Sequence, residues 1–292
     1  MERVRQITRV NEAHKLGYIG NNVTVAVMDT GIGTHIDFGQ RIRGFRDYVG
    51  DKKILYDDNG HGTHVSGIIA GSGFASHGRY RGMAPGAQIF SIKVLDRMGK
   101  GNTRLVVSAL KWLIANYGKM NIRILNISVG MLASARREEQ EELLAAIEAV
   151  WDAGIVVVAA AGNNGPKDKS ITIPGLCRKI ITVGSSDDEE GEVKNLGLMR
   201  GYSGRGPTEA CIMKPEVVAP GTAIVSCKRM GNGYEMKSGT SMATPVVAGA
   251  VAVLLSRYPN LKPAEVKLRL YETSVDTGKS KHRAGGGWMS CG

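Results

Sequence analysis

Residues 237–257 read KSGTSMATPVVAGAVAVLLSR, and the part from Thr240 to Arg257 decides the architecture. Val246, Val247, Ala248, Ala250, Val251, Val253 and Leu254 put apolar side chains nearly all round a helix of that length. Such a helix belongs in the centre of a molecule, not on its surface. It needs covered layers beside it. Val23 to Met28, Gln88 to Val94, Ile122 to Ile127, Ile155 to Ala161 and Ile180 to Val183 are strand-like runs. Several are continuously apolar, as in parallel strands covered on both faces. Helix patterns lie between them at His61 to Ala70, Thr103 to Asn116 and Arg136 to Ala153, and a last one at Lys262 to Tyr271 opens with Pro263. This alternation predicts an α/β fold of three layers, α/β/α, with a mostly parallel central sheet. Gly71 to Gly82, Pro166 to Ile171 and Asp187 to Thr208 read as loops. The acidic run Asp187, Asp188, Glu189, Glu190 and Glu192 is expected to be solvated, with a cation site as its alternative.

With 292 residues, no linker and no internal repeat, residues 1–292 read as a single domain. The composition, 42% hydrophobic and 22% charged, is that of a globular chain, and 39 glycines favour closely apposed layers. The net charge of +11 comes from scattered bases without the aromatic interleaving or module signature of a nucleic-acid binder. They read as a solvated surface, the alternative being steering of acidic substrates. Cys177, Cys211, Cys227 and Cys291 lack the close spacing of a zinc site. Free thiols in a reducing compartment are the expectation, disulfides the alternative. The opening MERVRQITRVNEAHKLGY has no apolar leader and no stretch reads as a membrane span. The expected location is cytoplasmic; a secreted mature fragment is the alternative.

Three glycine-rich segments carry polar groups suited to acyl transfer. Asp29 ends a strand in VAVMDTGIG, where an open parallel sheet places ligands, the equal alternative being a cap on the next turn. His61 lies in NGHGTHVSG, and His64 competes with it for the role of base. Ser241 stands at the entrance of the apolar helix, with Ser238, Thr240 and Thr244 as near competitors and an N-cap as its plain structural role. A serine hydroxyl is a weak nucleophile that a histidine base and an orienting carboxylate would activate. Asn163 in AAAGNNG can donate to an oxyanion, and so can its neighbour Asn164.

VAVMDTGIG, GHGTHVSG and SGTSMATPVVAG together resemble the three catalytic blocks of the subtilisin-like serine proteases, the subtilases, in the order Asp, His, Ser. ILNISVG, AAAGNNG and KPEVVAPG resemble the intervening signatures, and the likeness runs from about Gly17 to Trp288. The resemblance implies a subtilisin-like fold and a serine endopeptidase whose triad is Asp29, His61 and Ser241, with Asn163 as oxyanion amide and His64 as a structural neighbour. It implies polypeptide substrates in extended conformation, hydrogen-bonded by Lys100, Gly101 and Asn102, after Gly99, and by Ser128, Val129 and Gly130. Ala159, Ala160, Ala161 and Gly162 would line the primary specificity pocket, with Asn164 nearby. No acidic residue occurs in AAAGNNGP, so a neutral or apolar P1 residue is expected. Pro174 in TIPG matches a position where the family has a cis bond.

The chain also departs from that pattern. GSGFASHGRYRG stands where secreted members carry an asparagine-containing calcium loop, although Asp37 matches a carboxylate ligand of that site. The chemistry itself calls for no cofactor, and structural calcium is left open. No segment before Asn11 is long enough for an inhibitory propeptide, so an intracellular-type bacterial member or a mature fragment is expected. The end GGGWMSCG stands where the family would continue into a final helix. Two other function classes compete. A catalytically silent subtilase would bind peptides or act as a scaffold. An unrelated α/β-hydrolase esterase would need a GxSxG elbow and the serine first in chain order, whereas here it comes last. A nucleotide-binding reading of the glycine runs lacks its phosphate motifs.

Overall fold

The structure, a computed structural model, describes residues 1–130, 136–189 and 200–276. Glu190, Glu192, Cys291, Trp288 and the GGGWMSCG end, on which expectations were placed, lie outside the described residues. Seven strands form the central sheet: β1 Thr24–Asp29, β2 Ile42–Asp47, β3 Gln88–Lys93, β4 Ile122–Ile127, β5 Val156–Ala160, β6 Ile181–Ser185 and β7 Val217–Ala219. Their order is β2-β3-β1-β4-β5-β6-β7, and every neighbouring pair is parallel. β8 Ile224–Cys227 and β9 Tyr234–Lys237 make a separate antiparallel hairpin. The helices are α1 Glu2–Ile7, α2 Val10–Lys15, α3 His61–Ala70, α4 Thr103–Asn116, α5 Arg137–Asp152, α6 Thr240–Arg257 and α7 Pro263–Glu272.

Side chains alternate across β1, and this sorts the layers. Met28 lines one small cavity with Val106 of α4 and Leu143 and Ile147 of α5, on one face of the sheet. Asp29 points the other way, toward α3, which packs against α6. Three layers follow, α/β/α. α6 is long and apolar enough to cross a membrane, yet 78% of it is buried inside the fold, as its all-round apolar character required. At Gly249 of α6 a Cβ would stand 2.5 Å from Met83 Cβ, so glycine lets α6 approach the segment that follows the 71–82 loop this closely. The winding reverses at β1, between β3 and β4, so the crevice at the carboxyl end of β1 is the natural ligand position.

The long helices α3, α4 and α6 fall where their periodicity placed them. β2 and the β8–β9 hairpin carry no comparable signal. β2 is an edge strand rich in charge, half-buried to exposed along most of its length. The solvated expectation for the acidic run fails at Asp187 and Asp188, both buried. Asp187 Oδ1 accepts the N–H groups of Gly221 (2.8 Å) and Thr222 (3.0 Å), and its Oδ2 meets Arg3 at 2.6 Å. These carboxylates satisfy backbone donors inside the fold. Cys177, Cys211 and Cys227 are free thiols, and the Ile173–Pro174 bond is cis. Arg137 pairs with Glu141 across one turn of α5 at 2.9 Å.

Candidate active site

The end of β1 and the start of α3 are joined by side chains that the turn residues supply. Asp29 is wholly buried and holds His61 Nδ1 at 2.8 Å from Oδ1 and 3.0 Å from Oδ2. Thr30 N–H donates back to Asp29 Oδ1 at 2.7 Å, which fixes the carboxylate. Thr30 Oγ1 accepts Gly62 N–H at 2.9 Å and donates to Asp57 Oδ1 at 2.9 Å. Asp57 also accepts Gly60 N–H (2.7 Å) and both the N–H (2.9 Å) and hydroxyl (2.6 Å) of Thr63, so it caps α3. Burial alone would raise the Asp57 pKa, but hydrogen bonds led by those of Thr63 and Gly60 hold it below the ordinary value. A Cβ on Gly62 would lie 2.2 Å from Gly31 O, so only glycine lets α3 approach this closely.

The choice between the two histidines follows from their surroundings. His64 is fully buried, with Nε2 3.1 Å from both Ile224 O and Glu235 O. Burial first, then the charges of Lys237 and His61, push its pKa down to about 3. It is a neutral structural group. His61 keeps 24% of its side chain exposed, and its pKa lies above the ordinary 6.5. Burial works against the imidazolium, but the charge and hydrogen bond of Asp29 outweigh it, while Lys237 opposes.

A base acts only when unprotonated, so any reaction in which His61 is the base is expected to slow as pH drops through the raised His61 pKa. Lys237→Met removes an opposing positive charge and raises that pKa further. The acid limb of kcat/KM should therefore move to higher pH, by roughly half a unit to one unit for a partly solvated charge pair. A pH–rate profile with an unmoved or lowered limb would contradict this electrostatic account.

Ser241 is the second residue of α6, and Asn163 follows the end of β5. Both line an open cavity of about 360 Å³ together with His61, Lys237, Ser238 and Met242. Among the described residues no hydrogen bond joins Ser241 to His61; they face the same space. Asn163 Oδ1 accepts the N–H and the hydroxyl of buried Thr240, each at 3.0 Å. A backbone N–H can only donate, so this bond identifies the accepting atom as oxygen and leaves Nδ2 as the donor. Thr240 Oγ1 in turn accepts Gly162 N–H at 3.2 Å.

The expected substrate segments leave the sheet on either side of β1. Beyond β3, the turn at Asp96 closes on itself: Asp96 N–H donates to Lys100 O, Gly99 N–H to Asp96 O and Lys100 N–H to Asp96 Oδ1. Gly101 bridges to Leu95, and the Asn102 side chain accepts Arg104 N–H as the N-cap of α4. Beyond β4, Ser128 is buried, Val129 half-buried and Gly130 exposed. Ala159, Ala160, Ala161 and Gly162 are buried at the end of β5, and Asn164 is exposed. Thr172 stands between the two sides: a Cβ would lie 2.7 Å from its Oγ1 at Gly130 and 2.4 Å at Gly162.

The residue patterns did not single out Thr30, Asp57, Thr172, Lys93 or Lys237. Their contacts are long-range and leave no periodic trace. Lys93 is the clearest case, a fully buried ammonium donating to Thr30 O (2.7 Å), Asp58 Oδ1 (2.6 Å) and Leu95 O (2.8 Å). It ties the segments after β1, before α3 and after β3 together. A lysine directly after Ile92 and before Val94 and Leu95, at the end of a strand-like run, was the available signal. Asp37 lies away from this cavity, fully buried and surrounded by hydrogen-bond donors.

Comparison with known proteins matches residues 20–288 to the Subtilase family. The chain is 42% identical over 280 residues to serine protease AprX of Bacillus subtilis (strain 168), covering 90% of this chain and 63% of that protein. It is 35% identical to a thermostable alkaline protease of Halalkalibacterium halodurans (strain ATCC BAA-125 / DSM 18197 / FERM 7344 / JCM 9153 / C-125), covering 91% of this chain and 66% of that one. Against subtilisin DY of Bacillus licheniformis the identity is 33%, over 94% of this chain and 91% of the relative. The crystal structure of a cold adapted subtilisin-like serine proteinase superposes with a TM-score of 0.74 at 30% identity, over 93% of this chain and 88% of that one. The chain thus spans just under two thirds of the first two relatives and most of the third.

Proposed function

Because this chain belongs to the subtilase family, we propose that it is a serine endopeptidase that cleaves extended polypeptides through an acyl-enzyme on Ser241. The observation that carries the reading is the convergence of His61, Asn163 and Ser241 on one cavity, with Asp29 bonded to the far nitrogen of His61. Ser241 Oγ attacks the substrate carbonyl carbon as His61 Nε2 takes the hydroxyl proton. Asp29 keeps the proton on Nδ1 and stabilises the imidazolium without itself becoming protonated. The carbonyl oxygen becomes an oxyanion, to which Asn163 Nδ2 donates, close to the positive end of the α6 dipole. Collapse breaks the C–N bond, and His61 returns its proton to the departing amine. Water then repeats the sequence and frees Ser241. A fluorophosphonate reagent tests the assignment directly. Mass spectrometry should find it on Ser241 with loss of peptidase activity; labelling elsewhere, or retained turnover after stoichiometric labelling, would refute it.

For the primary pocket we infer a preference for neutral or apolar P1 residues. Gly130, Gly162 and Ala159 to Ala161 offer no carboxylate to a basic side chain, and the Thr172 hydroxyl crowds the space between the two glycines. Peptides differing only at P1 are expected to show kcat/KM for uncharged residues about ten-fold or more above that for Arg or Lys. A preference for Arg or Lys would mean that a carboxylate from another segment reaches the pocket.

A further inference from the structure

Loop 71–82 leaves the carboxyl end of α3, the helix that begins with His61, and folds back on itself. Gly78 N–H donates to Gly73 O and Gly82 N–H to Gly71 O, both at 2.8 Å. Secreted subtilases carry a calcium loop in this place, and Asp37 matches a carboxylate ligand of that site. The residues present do not fit that ion. Calcium takes about six to eight oxygen ligands at roughly 2.3–2.6 Å. Both oxygens of Asp37 are instead committed to donors: Oδ1 accepts Ala75 N–H at 3.0 Å, and Oδ2 accepts Gly73 N–H at 3.1 Å and the Tyr234 hydroxyl at 2.9 Å. An N–H or O–H group repels a cation from the position it fills. His35 and Cys227 come within 4.8 Å of the same carboxylate, but a nitrogen and a sulfur make a softer set than calcium takes. His35 Nδ1 is moreover engaged by Asp37 N–H at 3.1 Å.

Positive charge reaches this loop by another route. Arg5, on α1, donates Nη1 to Arg81 O at 2.5 Å and Nη2 to Gly78 O at 3.3 Å. Arg41, just before β2, donates Nη1 to Ala70 O at 2.5 Å and to Ala87 O at 3.1 Å, and Nη2 to Asp37 O. A guanidinium presents five N–H donors in a planar fork and is always charged, so one side chain can gather several carbonyls. We propose that Arg5 and Arg41 together do at loop 71–82 what a divalent cation would do: Arg5 binds the loop's own Gly78 and Arg81 carbonyls, and Arg41 binds those of Ala70, at the loop's root, and of Asp37, whose carboxylate holds the loop, so that α1, the end of α3 and the start of β2 are tied into one unit. The difference has a thermodynamic consequence. A bound ion stabilises in proportion to the logarithm of its concentration and is lost to a chelator, whereas a tethered cation acts at every calcium level.

The test is amide hydrogen exchange across residues 71–82 in the full chain carrying Ser241→Ala, which prevents self-digestion, with excess calcium and with EDTA. The N–H groups of Gly73, Ala75, Gly78 and Gly82 should be protected equally in both. Arg5→Met and, separately, Arg41→Met should lose at least about ten-fold of that protection in both solutions. Arg5→Met removes two hydrogen bonds from the edge of the fold and serves if Arg41→Met does not fold. Protection that requires calcium in the parent and is abolished by Asp37→Asn would overturn the proposal. So would folded arginine variants whose loop amides remain as protected as the parent's.

Discussion

Ser241→Ala is expected to lower kcat for peptide hydrolysis by about 10⁶-fold while leaving the melting temperature essentially unchanged. The magnitude is the loss known for the nucleophile of subtilisin, a family member, where serine and histidine act as one unit. The structural half of the expectation comes from this chain. Ser241 is half-buried at the second position of α6, and none of the described groups hydrogen-bonds to its hydroxyl. Its removal strands no buried partner, and alanine favours a helix. The measurement is burst-phase acylation with an activated ester alongside thermal unfolding. A folded alanine variant that still forms a serine-linked acyl adduct would transfer the nucleophile to Ser238 or to another hydroxyl.

Asn163→Ala should reduce kcat by about 10²–10³-fold with little change in KM, the range for losing one oxyanion donor in subtilisin. In this molecule the same substitution also strands Thr240, whose buried N–H and hydroxyl both donate to Asn163 Oδ1. A stability loss of about 1–3 kcal/mol is expected with it. The two effects separate with Asn163→Asp, which keeps an acceptor for Thr240 but turns the cavity-facing donor into a negative charge. That variant should keep more of the parent's stability than Asn163→Ala and lose at least as much kcat. If Asn163→Ala keeps its kcat, the amide has no part in transition-state stabilisation. If Asn163→Asp is the more active of the two, the loss came from the disturbed entrance of α6 and not from the oxyanion.

The layers were legible because they rest on local chemistry. Valine and alanine all round 240–257 point to a buried helix, and the strand-like runs at 23–28, 122–127 and 155–161, the last continuously apolar, to parallel strands covered on both sides. The composition of these segments therefore determined the α/β/α arrangement. Asp29, His61 and Ser241 were legible as candidates for a related reason, since glycines and strand ends mark where backbone meets a crevice.

Local residue chemistry did not choose among them; the family resemblance named His61 over His64, and the physical difference between the two lies in the tertiary structure. His61 and His64 lie on one helical turn, and nothing local tells them apart. The difference is that Asp29, 32 positions earlier in the chain, reaches His61, while Ile224 O and Glu235 O, more than 150 positions later, enclose His64. Asn163 gained its defined orientation from Thr240, 77 positions away. Asp37 and Asp187 read as candidates for cations or solvent until folding brought backbone N–H groups onto them. Local pattern follows burial, which is periodic along the chain. The protonation and partner of a polar group follow from the electrostatics of whatever distant segments pack against it, and only the folded chain brings those segments together.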